Sequence, residues 1–257
     1  MLVATNPLDR PVLLYDGDEL LGLKQNRILN ITVLVPANSD TRIPVSCVEQ
    51  GRWHARGPGF KTARHAAYAD LRRLKSEALN AKPFAPGDLQ AAVWEAIADK
   101  AERLGIQSPT GAAADIYRGQ EAALAELREA FPAMPGQCGA VLALGTERLA
   151  LDYASQPAAF ASLYPKLLDS YLLDAIEYLD QAPARHEDLA AFLSAVGSAS
   201  RTRTRSVGAG DDLRLSSNRV IGSGLVGERE LLQLSAFTTT PSSDATGPSP
   251  KTAATEG

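Results

Sequence analysis

A chain of 257 residues, 45% hydrophobic and 22% charged, has the composition of a globular protein and enough length to bury a substantial core. Its formal net charge of −4 argues against a generalised nucleic-acid binder, whose usual footprint is a basic domain. Two cysteines, Cys47 and Cys138, exclude a disulfide scaffold and suit a reducing cytoplasm.

The N-terminus, MLVATNPLDRPVLL, lacks the basic segment and long apolar run of a signal peptide. No apolar window approaches the ~20 residues that span a bilayer, so a soluble, cytoplasmic protein without a membrane partner is expected. Residues 11–15 then form a short apolar run ended by the turn residues Asp16, Gly17 and Asp18. Residues 28–35 alternate, with Leu29, Ile31, Val33 and Val35 on one face and Ile28, Asn30, Thr32 and Leu34 on the other. A turn at 36–40 leads to a further strand over 41–48. Short strands joined by tight turns predict an antiparallel sheet of sandwich or barrel type.

The middle of the chain reads as helical. No Gly or Pro interrupts 61–80. Asp88 is placed to cap a second helix, whose Leu89, Val93, Ile97, Ala101 and Leu104 fall on one stripe before Gly105 stops it. A third helix is expected over 110–131. Strand character resumes at 138–144 and 148–153 around Gly145, Thr146 and Glu147, a hairpin pattern. A long helix follows over about 157–179, which Pro165 should kink or start. A short helix over 187–196 and strands over 201–207, 219–226 and 231–237 complete the pattern. From Thr238 the chain is rich in Ser, Thr, Pro, Ala and Gly and should be disordered. The expectation is a single α+β domain over 1–237: an antiparallel β-sheet assembly with a helical insertion over about 61–131, then a tail over 238–257.

The densest polar stretch runs from Asp16 to Trp53, between strand-like runs. Unpaired buried polar groups cost about 1–3 kcal/mol each, so such density implies a site or a paired lattice. Glu49 is the candidate general base and Cys47 a weaker candidate nucleophile. Lys24, Gln25, Asn26, Arg27, Gln50 and Arg52 are candidate ligand contacts, the cations neutralising phosphate and the amides reading polar edges. For Cys47 the alternative is packing as a small buried hydrophobe. Asp16, Asp18, Glu19 and Glu49 serve either as acid/base or Mg²⁺ ligands, or as partners of Lys24, Arg27 and Arg52 in a structural ionic network.

Basic residues also cluster at Arg52, Arg56, Lys61, Arg64, Arg72, Arg73 and Lys75, against the single acid Asp70. The run Arg56-Gly57-Pro58-Gly59 entering a helix near Lys61 would favour anions at the helix N-terminus; the alternative is a solvated helix face. Arg201, Arg203 and Arg205 alternate with threonines. On a strand they make a comb of guanidinium groups for phosphate or carboxylate, or an edge strand defended by charge. The three histidines lack metal-ligand spacing, and no P-loop, GxGxxG or GxSxG occurs. No metal is therefore expected, and no cofactor is indicated. Trp53 and Trp94 read as core or pocket wall.

The runs LLGLKQNRILN, IPVSCVEQGRW, PKLLDSYLLDAI and SVGAGDDLRL together resemble the bacterial ARG and rhodanese-phosphatase-superfamily-associated protein domain, from roughly residue 7 to 237. The motif positions that carry the resemblance are Lys24, Gln25, Asn26, Arg27, Ser46, Cys47, Glu49, Gln50, Arg52 and Trp53. Two departures accompany it: relatives carry more strand sequence ahead of Asn6-Pro7, and a His near the end of the last strand is replaced by Gln233. The family's activity is uncharacterised. Its association with ADP-ribosylglycohydrolases implies a small anionic ligand of nucleotide or ADP-ribose type, with no commitment to catalysis. The alternative is a non-catalytic structural or protein-interaction module, with nucleic-acid binding through the arginine comb a weaker third reading.

Overall fold

The computed structural model describes residues 1–81, 86–228 and 230–239. Its first third is built from short strands: β1 (Leu2–Asn6), β2 (Val12–Leu14), β3 (Asp18–Leu23), β4 (Arg27–Leu29), β5 (Val33–Val35), β6 (Ser39–Ile43), β7 (Val45–Cys47) and β8 (Arg56–Ala66). They sort into the antiparallel pairs β1–β6 and β2–β5 and a four-stranded sheet of order β7-β4-β3-β8. Helices α1 (Ala69–Asn80), α2 (Pro86–Arg103), α3 (Ala113–Gly119) and α4 (Glu121–Arg128) follow. The hairpin β9 (Gly139–Leu144) and β10 (Arg148–Ala154) turns through Gly145, Thr146 and Glu147, with Gly145 at φ 61°. Then come α5 (Pro157–Ala175), α6 (His186–Ser198) and strands β11 (Ser200–Arg205), β12 (Asp211–Ser216), β13 (Val220–Val226) and β14 (Leu231–Thr238). The last four join the hairpin in a six-stranded antiparallel sheet, β11-β12-β13-β14-β10-β9. The fold is α+β with antiparallel sheets, as the sequence implied, and no sheet among the described residues closes into a barrel. No helix among them is long and apolar enough to cross a membrane.

Several boundaries differ from the sequence pattern for identifiable reasons. Residues 61–66, expected as helix, belong to β8, whose pairing with β3 overrides the local helix preference of Lys, Arg and Ala; the helical segment therefore begins at Ala69. The continuous strand expected over 28–35 breaks into β4 and β5, which serve different sheets. Pro44 divides the next expected strand into β6 and β7. The helix expected over 110–131 splits at Gln120 into α3 and α4. α5 runs through Pro165. Residues 211–216, not among the expected strands, form β12 by pairing with β11 and β13. Thr238, expected to open the tail, ends β14 with its hydroxyl accepting from the Leu149 N–H at 3.1 Å; the tail from residue 240 onward lies outside the described residues.

Period-two alternation organises the six-stranded sheet. Leu149, Leu213, Leu215, Val220, Leu234 and Ala236 pack on Phe192 and Val196 of α6. Ala150, Ala154, Ile221 and Phe237 face the opposite way, into the main core with Tyr15, Leu71, Phe160, Leu167 and Tyr171. That inner face also carries charge. Asp152 is fully buried and accepts from Arg72 (2.8 and 2.5 Å), Tyr15 (2.5 Å), Tyr171 (2.5 Å) and Ser235 (2.7 Å). Gln233 donates to Ser235 at 2.7 Å. Beside this cluster Lys75 is paired with Asp16 at 2.5 Å and donates to the Leu29 carbonyl at 2.6 Å. These bonds tie α1 to both the N-terminal strands and the six-stranded sheet. Arg72 and Lys75 thus leave the basic surface run and become core staples. Burial pushes Asp152 up, but Arg72 and the surrounding hydroxyls outweigh it and hold the carboxyl below its ordinary range.

Candidate functional site

The polar motif is brought together at the end of the four-stranded sheet that faces α3. β3 leaves through Gly22 and Leu23, and Gly22 adopts φ 142°, where a Cβ would overlap the Gly59 carbonyl oxygen. Leu23 is held at φ 45°, a left-handed conformation that costs a branched residue about 1–2 kcal/mol. Arg52 fixes this turn. Its guanidinium donates to the carbonyls of Leu23, His54 (3.0 Å) and Gly22 (3.3 Å), and to Asn26 Oδ1 at 3.0 Å.

Asn26 is the hub of the arrangement. Its Oδ1 also accepts from the Gly22 N–H (3.2 Å) and its Nδ2 donates to Glu19 (3.4 Å). Its backbone N–H donates to Glu49 (3.2 Å), and its carbonyl accepts from the Val48 N–H (3.1 Å). Glu49 pairs with Arg52 at 2.6 Å and accepts from the Thr110 hydroxyl at 3.0 Å. Burial pushes Glu49 up, but Arg52, the Asn26 N–H and Thr110 together pull it below the ordinary carboxylate range. Glu19 contacts His65 at 2.8 Å, and the imidazole stacks on Tyr117 with ring centroids 3.7 Å apart. The Glu19–His65 contact was not anticipated. Its only signal in the sequence is the alternation that turns His65 inward on β8, which the helix-compatible composition of 61–66 conceals.

Of the expected site residues, Asn26, Glu49 and Arg52 therefore converge and are buried, whereas Lys24 and Gln50 are exposed. Gln25 is buried beside them, its amide accepting from Arg27 at 3.2 Å. Arg27 is the direct cross-strand partner of Cys47. Cys47 is half-buried, and its backbone N–H and carbonyl are both bonded by the Gln90 side chain of α2 (2.8 and 2.9 Å), which covers the free edge of β7. The arginine comb lies on β11, an edge strand. Arg201 donates to the Gly197 carbonyl (2.8 Å), Arg203 pairs with Asp211 (2.7 Å), and Arg205 lies 3.8 Å from the same carboxylate. The comb and the KQNR motif occupy different sheets. Asp18 pairs with Lys166 at 2.8 Å. No group of three or more His, Cys, Asp or Glu among the described residues is arranged to hold a metal ion.

Next to the lattice is open space. A cleft of about 560 Å³ is walled by Leu21, Gly22, Asn26, Ala114 and the segment Arg56 to Lys61, with Arg118 at its side. A smaller cavity of about 150 Å³ shares Asn26, Arg56, Ala114 and Arg118 with it and reaches Glu49 and Thr110. Arg56 and Lys61 are exposed and have no acidic partner among the described residues, while Arg118 pairs with Asp115 at 2.6 Å. These cations stand on a strand, so the helix N-terminus expected near Lys61 is absent from the site.

Comparison with known protein families matches residues 1–237 to the ARG and rhodanese-phosphatase-superfamily-associated protein domain. No curated protein and no solved structure matches the chain. A match over this much of the sequence, on a fold whose converged polar residues are those of the KQNR and SCVEQGRW runs, identifies the chain as a member of the ARG and rhodanese-phosphatase-superfamily-associated protein domain family.

Proposed function

We propose that the protein binds a small anionic ligand of the nucleotide or ADP-ribose kind in the cleft between β3, β8 and α3. One observation carries this reading: Arg56 and Lys61 stand at a concavity with no acidic partner among the described residues, while Arg52 beside them is held in a buried pair with Glu49. Guanidinium and ammonium groups beside a cleft of this size favour phosphate or carboxylate. Asn26, Glu49 and Arg52 form the base of the site. Glu49 already accepts three sets of bonds and is held ionised, so in this reading it fixes Arg52 and Asn26 rather than withdrawing a proton. Both cysteines are free, which supports a ligand met in a reducing compartment.

A thermal-shift screen against ADP-ribose, NAD, mononucleotides and inorganic phosphate tests the proposal, repeated on Arg56→Ala and Lys61→Ala. A ligand at a hundredfold excess over its dissociation constant stabilises by about 2.7 kcal/mol, a rise of roughly 5–11 °C for a chain of this size. The rise should shrink in both variants. No rise with any phosphorylated ligand, or an equal rise in the variants, rejects the reading.

The second reading, a non-catalytic structural or protein-interaction module, is favoured by the internal pairing of two lattice members: every polar side-chain atom of Asn26 and both oxygens of Glu49 are bonded within the protein, although Nε of Arg52 is buried without a partner. A flat screen combined with strong destabilisation by substitutions at Glu49 would support it.

A further inference from the structure

We infer that β9 is a dimerisation edge: two copies of the chain pair their β9 strands antiparallel about a two-fold axis at Val141 and so join their six-stranded sheets. The strand shares no residue with the cleft of the anion-binding reading, so the two stand or fall separately.

The six-stranded sheet ends in β11 on one side and β9 on the other. An end strand presents a row of unpaired backbone groups, a template for another extended chain. The two ends differ sharply in charge. β11 alternates Arg201, Arg203 and Arg205 with threonine, so pairing with its own copy would set arginine beside arginine, which opposes association. β9 reads Gly-Ala-Val-Leu-Ala-Leu and has neither the charge nor the proline that ordinarily blunts an edge. It lies within Ala130 to Thr146, the longest run of this chain without a charged residue. A second copy therefore meets no like charge along this strand.

The outward backbone groups are also self-complementary. Ala154 donates its N–H to the Cys138 carbonyl at 2.8 Å, and the register runs unbroken from there to Leu144 opposite Arg148. Antiparallel ladders bond through alternate residues. Cys138, Ala140, Leu142 and Leu144 therefore direct their backbone groups to β10, while Gly139, Val141 and Ala143 direct theirs away from it. The Gly139 carbonyl agrees with this, since it accepts from the Gln137 side chain at 2.9 Å. Val141 is midway between Gly139 and Ala143. A two-fold axis there sets Val141 against Val141 of the second copy and Gly139 against its Ala143, so that each outward N–H meets a carbonyl. Ala140 then lies across from Leu142, apolar against apolar. Val141 is 38% exposed and Met134 68%. Gln137 accepts the Met134 N–H at 3.1 Å, which keeps this apolar loop beside the start of the edge. The contact is isologous and closes on itself, and the arginines of β11 discourage growth from the other end.

Analytical ultracentrifugation of the full chain across the micromolar range tests this and should show a monomer–dimer equilibrium. Val141→Lys sets two ammonium groups opposite each other and should raise the dissociation constant about tenfold or more. Its circular dichroism should be unchanged, because the substitution falls at an exposed edge position. Mixing Val141→Lys with Val141→Glu should give a dimer tighter than either variant forms alone, a result that misfolding could not produce. Arg203→Ala, on the opposite edge, should leave the dimer intact. A chain that stays monomeric throughout overturns the inference. So does a dimer indifferent to Val141→Lys or lost in Arg203→Ala, and so does a mixture that associates no better than its components.

Discussion

Glu49→Gln is the substitution that asks most of the lattice. It preserves shape but removes the charge that faces Arg52 at 2.6 Å, with both side chains almost wholly buried. Breaking a buried pair by neutralising one partner typically costs about 3–5 kcal/mol, because the other charge is left uncompensated. Arg52 retains its bonds to the Gly22, Leu23 and His54 carbonyls and to Asn26, so the lower end, about 3 kcal/mol, is expected. That corresponds to roughly 6–12 °C in Tm. Urea unfolding is the assay, with an unchanged m value confirming that stability and not denatured-state compactness has moved. The double variant with Arg52→Met should be less destabilised than the sum of the single variants, with a coupling of about 1–3 kcal/mol. A Glu49→Gln cost below about 1 kcal/mol, or strict additivity, would refute the view that this pair holds the Gly22–Leu23 turn. Arg56→Ala behaves oppositely under the same reasoning, leaving stability within about 0.5 kcal/mol as an exposed substitution should while weakening ligand binding.

Asp152→Asn should cost about 3–5 kcal/mol in the same assay, since it strips the counter-charge from fully buried Arg72; a change under 1 kcal/mol would contradict the staple. Glu49 and Asp152 are both held below their ordinary range in the folded protein. The folded state then binds fewer protons than the unfolded one as pH falls through the carboxylate range near pH 4. Their stabilisation is complete above that range and lost below it, so the urea midpoint should drop on the acid side and drop less steeply in Glu49→Gln; an unaltered acid limb would argue against the assignment. Gly22→Ala should distort the β3–β8 pairing at Gly59 and reduce phosphate-ligand binding along with Tm, and a neutral result would show that the turn relaxes freely. Gln90→Ala removes two bonds to the Cys47 backbone and should cost about 1–3 kcal/mol, measurable as faster hydrogen exchange at Cys47.

The class of the fold and the centre of the polar cluster were legible in the amino-acid sequence, though Lys24 and Gln50 proved to be exposed and His65 and Thr110 joined from elsewhere. Alternation around Val33, the glycine turn at Gly145 and the apolar stripe of α2 are local signals, fixed by backbone sterics and by the period of buried side chains, and each appears in the structure. Asn26, Glu49 and Arg52 were identifiable because so many polar groups between strands must be paired with something. What they pair with depended on tertiary structure. Lys75 and Arg72 looked like surface cations, since nothing near them in sequence announces Asp16 or Asp152 as a buried partner. Lys61 to Ala66 has a helix-compatible composition and became strand only because β3 offered an edge to pair with. That switch placed His65 against Glu19 and left Arg56 and Lys61 over a cleft. Long-range pairing and the low dielectric of the core decide which charges are spent internally, and only the charges left over are free to meet a ligand.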